Sequence, residues 1–248
     1  MDKIPLLIPL GNGSLHGDDE LRMLLRSVEI NVEDCGTVYL MTMYKPDWIV
    51  ESEDLIVVPL PDPYTDGKDA NLISKTNETI RRYNLGEFVW SADDAAVLRP
   101  IRFSEIPVLH NHRPNSIFYQ PDATKWRMRV RNTLEWAKKR GVELPHTYEV
   151  HAPQRFDGQE ILANMTDYYP DQKTIYTFYR TITDSWHGSV NQPDWKWTFE
   201  FQFDESVTTM PDEELCSKPF LGYSDVQADR VLARLHKMFP AKSRFEKE

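Results

Sequence analysis

Two adjacent aspartates, Asp93 and Asp94, follow the apolar run Phe88-Val89-Trp90, with only Ser91 and Ala92 between. Like charges so close repel unless one is protonated or a counter-charge joins them, and a divalent cation is a natural counter-charge. In an α/β sheet the carboxyl end of a strand borders the ligand crevice, where a hard cation keeps some water and binds substrate phosphates. The chemistry served is transfer from a phosphorylated donor, with the metal neutralising charge on the departing phosphate. The plainer reading is a loop cap at a strand end. Upstream, Asn71, Lys75 and Asn77 recur at helical spacing. Lys75 is suited to a phosphate and the asparagines to a base or sugar hydroxyls, against the plainer reading of a solvated helix face. Gly11 and Asn12, in the "GNGS" turn after the first apolar run, are candidates for the same ligand.

Histidines supply a second set. "VLHNHRP" at 108–114 and "HTYEVHAP" at 146–153 hold four of the seven in the chain. Imidazole is a common metal ligand and a proton carrier near neutrality. His110 and His112 alternate, so on a strand they share a face. His151 is the first choice for a site and His112 the second.

These residues need a scaffold, and the first hundred residues supply one by alternating strand and helix signals, the mark of an α/β layered sheet. "KIPLLIPLG" reads as a strand, then "DDELRMLLRSVEIN" at 18–31 as a helix with Leu21, Leu24, Leu25 and Val28 on one face. Strands follow at 37–43 and 55–60, a helix at 70–84, and a strand in "GEFVWSADD". The second half is less regular, an irregular α+β part. "ATKWRMRVRNTLEWAKKRG" reads as a helix stopped by Gly141. "TIYTFYRTI" at 174–182 and "WKWTFEFQF" at 195–203 alternate like half-buried strands, and 224–239 closes as an amphipathic helix. The expectation is one domain over 1–248, with residues 1–120 holding the nucleotide and 121–248 forming the acceptor side.

With 248 residues, 40% of them hydrophobic, the chain can bury a substantial core. No apolar run approaches the ~20 residues of a membrane span. Cys35 and Cys216 form neither a zinc pattern nor a disulfide framework, and the opening residues lack a secretory pattern, so a reducing cytoplasm is expected. A net charge of −10 disfavours broad binding to nucleic acid or membrane surfaces. Residues 125–140 are the exception, with seven basic side chains against one glutamate. Arg127, Arg131 and Lys138 fall along one line there, which reads as a solvated face or as a surface for an anionic acceptor. Three tryptophans, Trp186, Trp195 and Trp197, point weakly to an acceptor side, since aromatic faces stack on sugars and bases.

In order, "DDELRMLLRSVEIN", "VYLMTMYKPDWI", "LIVVPLPD" and "EFVWSADD" resemble nucleotide-sugar transferases of the GT-A kind. With "HAP" at 151–153 and "FYRT" at 178–181, the set is similar more narrowly to the Stealth family of sugar-1-phosphate transferases. The resemblance spans about residues 4–181 and is thin between 100 and 145. Ser91 and Ala92 stand where that family has asparagine, and "GNGSLHG" differs from its opening. The resemblance implies a GT-A-like (Rossmann-like) three-layer sandwich with a mixed, mostly parallel sheet. It implies a metal-dependent glycosyltransferase using a UDP-type nucleotide sugar with Mg²⁺ or Mn²⁺. The acceptor would be a hydroxyl, of a polysaccharide or of a modified phage DNA base. Arg26 would face the nucleotide and Arg180 would clamp a phosphate. Asp93 and Asp94 would hold the metal or one would act as base, and His151 would be a metal ligand or proton shuttle. Transfer of a sugar 1-phosphate, and a non-catalytic nucleotide- or sugar-binding protein, are the alternatives.

Overall fold

In β1 (Ile4–Pro9), Ile4, Leu6 and Ile8 enter one apolar cluster while Leu7 enters another. β2 (Cys35–Met41) splits the same way, Val38 and Leu40 against Tyr39 and Met41. Successive strand side chains point to opposite faces, so a strand apolar on both must be covered on both. Helix α1 (Asp19–Asn31) covers the first face with Leu21, Leu24, Leu25 and Val28. Helix α2 (Lys68–Tyr83) covers the second with Ile73 and Ile80. With β3 (Leu55–Val58), β4 (Glu87–Trp90) and β7 (Gln154–Asp157) the sheet has the order β3-β2-β1-β4-β7. Its first four strands run parallel and β7 is antiparallel to β4. The protein is therefore α/β, with a mixed and mostly parallel sheet of Rossmann-like order.

These features come from a computed structural model that describes residues 3–11, 14–65, 67–111, 113, 115–120, 124–165, 174–183, 192–201, 209–224 and 228–247. After β4 the chain forms β5 (Ala95–Val97), the two-residue β6 (Leu109–His110) and α3 (Lys125–Lys139). Then come β7, α4 (Gly158–Asn164) and α5 (Ile175–Thr183). Last are β8 (Gln192–Pro193), β9 (Thr198–Phe201), α6 (Asp212–Leu215), β10 (Phe220–Tyr223) and α7 (Ala228–Met238). Helices α3, α4 and α5 join α2 on the second face. β5, β10 and β9 make a smaller sheet that packs with α7 against Met23 of α1.

Residues 174–182 do not form the expected strand. Ile175–Thr183 is helical, and every residue in it is buried. Thr177, Arg180 and Thr181 recur at helical spacing but are buried like the rest, and the aromatic and β-branched residues around them imitate strand alternation. Its first turn is held from outside, since Thr177 N–H donates to Glu149 Oε1 at 2.9 Å. Of the expected strand over 195–203, β9 covers Thr198–Phe201, and residues 202–203 lie outside the described residues. Gly141 stops α3 with a φ of +77°, where a Cβ would be strained. No described helix is long and apolar enough to cross a membrane.

Candidate functional site

The sheet order turns back at β1, which pairs with β2 on one side and β4 on the other. Beyond the carboxyl ends of strands at such a switch point, open α/β sheets bind ligands. Here those ends are Leu10-Gly11 and Ser91–Asp94. The delivery of β4 is rigid. Trp90 Nε1–H donates to Thr76 Oγ1 at 3.0 Å, and its ring meets Tyr176 edge-on at 5.0 Å. Ser91 N–H continues the pairing to Leu7 O at 3.0 Å. Asp93 and Asp94 then occupy a bend before β5, both partly exposed.

Asp94 Oδ1 lies 2.7 Å from His151 Nε2. His151 sits at the centre of a tight turn closed by Ala152 N–H on Val150 O at 2.9 Å. β10 packs directly against it. A Cβ on Gly222 would come within 2.4 Å of His151 O and 3.0 Å of its Cγ, so only glycine fits. The next residue, Tyr223, donates its N–H to Asp94 O at 3.2 Å. One strand thus seats both members of the pair.

The two aspartates are held in different states. Burial would raise Asp94, but the charge and hydrogen bond of His151 outweigh it and hold Asp94 below the usual carboxylate range. Burial, and next the charge of Asp94, push Asp93 well above that range. Adjacent carboxylates with divergent affinities for the proton are a common arrangement where acid and base roles are divided.

Several neighbours carry no obvious signal in the sequence. Tyr44 places its hydroxyl 2.6 Å from Asp18 Oδ1 and 2.9 Å from Gly11 O. Burial and that aspartate, with a smaller effect of Asp93, push its phenol upward. Glu20 is buried and accepts Ser14 Oγ–H at 2.9 Å. Asp18 occupies the N-cap position of α1 with a φ of +60°, an uncommon backbone for a non-glycine residue, and its side chain makes no capping bond. Lys68 is the cation whose charge favours ionisation of both Asp93 and Asp94. A lysine in the first turn of a helix opposes the macrodipole, which is the one sequence signal that marks it.

Of the expected site residues, Gly11, Asp93, Asp94 and His151 lie at this edge, while Asn12 and His112 fall outside the described residues. Lys75 is buried and bridges Leu10 O at 3.0 Å and Asp62 at 2.8 Å, tying the end of β1 to the loop after β3. Asn71 makes two bonds to the backbone of Tyr64. Asn77 accepts the Tyr179 hydroxyl at 3.0 Å. Arg26 does not face the crevice. It makes two 2.7 Å bonds to Glu246 and donates to Phe239 O. Arg180 is buried over the Phe156 ring at 4.2 Å and donates to Arg155 O at 2.8 Å. These cations hold the fold together, because a buried charge must be satisfied locally. His110 is buried and stacks on His146 at 4.0 Å. Trp186 lies outside the described residues, and Trp197 stacks on Phe220.

The expected three-ligand set of Asp93, Asp94 and His151 is not formed. Among the described residues no group of three His, Cys, Asp or Glu side chains is placed to hold a metal ion. His151 turns Nε2 to Asp94 instead. The two carboxylates by themselves suit an Mg²⁺-like ion, which takes one or two protein carboxylates and completes its shell with water and phosphate. A cleft of about 410 Å³ runs beside α2, lined by Leu60, Pro61, Tyr64, Lys75, Arg81 and Met165, and contains neither aspartate. No protein-family model matches the chain, and no curated protein matches it.

Proposed function

We propose that the protein is a glycosyltransferase that moves a sugar from a nucleotide-sugar donor to a hydroxyl acceptor. The observation carrying this reading is the Asp94–His151 pair beside Asp93 at the switch point of a mostly parallel sheet. In the neutral tautomer that donates Nε2–H to Asp94, the basic lone pair of His151 is on Nδ1. His151 takes the acceptor hydroxyl proton there, and Asp94 orients the ring and stabilises the imidazolium. The acceptor oxygen bonds to the anomeric carbon as the bond to the diphosphate oxygen breaks, and the nucleoside diphosphate leaves. Asp93 and Asp94 Oδ2 would hold an Mg²⁺ or Mn²⁺ ion, which supplies charge neutralisation at the diphosphate. The cleft beside Lys75 falls in the size range of small-ligand sites and suits the nucleoside end of the donor. The GT-A-type resemblance in the sequence supports the same assignment.

The test is a panel of nucleotide sugars with Mn²⁺, read by thermal shift and by the nucleotide released. A joint metal- and donor-dependent rise in melting temperature, with diphosphate release, is expected, because a ligand that binds only the folded state stabilises it. Release of a nucleoside monophosphate would reassign the reaction to sugar-phosphate transfer. No shift with any donor would leave a non-catalytic fold.

A further inference from the structure

We propose that α3 is a docking surface for single-stranded nucleic acid, gripped along Arg127, Arg131 and Lys138. The inference stands independently of the transfer reaction. Along α3 and the residue that follows it, seven basic side chains face one acidic one, in a chain whose net charge is −10. Arg129 is paired with Asp69 at 3.0 Å, and Arg140 lies over the Trp136 ring. Lys125, Arg127, Arg131, Lys138 and Lys139 make no ion pair among the described residues, and all five are partly or fully exposed. In an acidic protein such a concentration of unneutralised cations selects a polyanion and confines it to one face.

The spacing and the neighbours narrow the class. At 1.5 Å per residue, Arg127 and Arg131 are ~6 Å apart along the helix and Lys138 is ~10 Å further, a line suited to successive phosphates. Aromatic side chains flank its start. Tyr119 is 49% exposed and Trp126 39% exposed, and Trp126 is braced edge-on against the buried Phe118 at 5.6 Å. Tyr119 lies within reach of the charges of Arg131 and Glu135. A cationic track beside exposed rings is how single strands are bound, phosphates on the cations and bases on the rings. Bases offer flat π faces to both rings whereas an acidic polysaccharide offers only C–H faces, and stronger competition by such a polysaccharide than by the oligonucleotide would overturn the assignment.

Fluorescence anisotropy of a labelled oligothymidylate across salt concentrations tests this. Three phosphate contacts on a single strand predict a slope of log K against log salt of about −2. Combining Arg127→Glu, Arg131→Glu and Lys138→Glu should weaken binding ~10-fold or more at low salt and flatten that slope. The glutamine version of the triple variant serves if the glutamate version does not fold. Tyr119→Ala should weaken binding about 5-fold or more with the slope unchanged, since stacking is insensitive to salt. Absence of binding at low salt, or wild-type affinity in a folded triple variant, overturns the proposal. So does inorganic polyphosphate competing as well as the oligonucleotide while Tyr119→Ala has no effect.

Discussion

Arg26 in the second half of α1 and the aspartates just after β4 treat charge in opposite ways. Arg26 is 7% exposed, and both arms of its guanidinium that reach Glu246 do so at 2.7 Å. Each charge there has its partner, so Arg26 rises and Glu246 falls in pKa against the pull of burial. Asp93 has a like charge beside it, Asp94 has His151 at 2.7 Å, Lys68 adds its charge to both, and both side chains are still partly open to solvent. A satisfied pair ties the C-terminal segment to α1, whereas an unsatisfied pair at a strand end retains affinity for a proton or a cation. Arg26 and Glu246 are completed internally, whereas the incomplete charge at the strand end is what the proposed transfer would use.

Substitutions sharpen the contrast. Asp94→Asn or His151→Ala should cut transfer by about 100- to 10,000-fold with the fold retained, measured as nucleotide release from the preferred donor. Near-wild-type turnover in either variant would break the comparison. Arg26→Ala should do the reverse. It removes the two 2.7 Å bonds to Glu246, which keeps Arg22 at 3.2 Å and Ser243, and should cost about 2–3 kcal/mol in denaturant unfolding, with turnover per folded molecule unchanged.

Gly222→Ala lies between the two. Its Cβ would press on His151 from 2.4 Å, and relieving that overlap should cost about 1–3 kcal/mol while turnover also falls. A variant that loses stability but keeps full turnover would show that β10 does not position His151. The smallest effect concerns Glu149, a buried carboxyl pushed up to about 7, first by burial and then by Asp69. A carboxyl whose folded pKa is raised loses stability as the unfolded chain ionises first, so its penalty is absent at pH 4, grows between about 4.5 and 7, and is complete above 7. Glu149→Gln should therefore gain roughly 1–2 kcal/mol relative to wild type at pH 8 and little at pH 5, read from melting at both pH values. A gain that is equal at the two pH values would exclude ionisation as its source.

Much of the scaffold is legible without coordinates. The apolar spacing in α1 and the strand-sized runs at β1, β2 and β3 encode a layered α/β sheet, because each pattern buries a definite face. The arginine assignments are not legible, because a buried and an exposed guanidinium look alike in a string of letters. Arg26 and Arg180 acquire their roles from Glu246, Phe239 and Arg155, partners distant in sequence or hidden in the core. Helix α5 escapes for a related reason, since its stabilising contact comes from Glu149, outside its own residues.

By itself, then, the order of residues determined the alternation of layers and marked Asp93, Asp94 and His151 as chemically capable, since periodicity and residue type are local properties. Only the tertiary structure brought Asp94 and His151 to 2.7 Å across 57 residues of chain, seated them on Gly222, and took Arg26, Lys75 and Arg180 into the framework. The physical reason is that pairing energy depends on distance and burial, which arise when separate segments pack and are absent from any one of them.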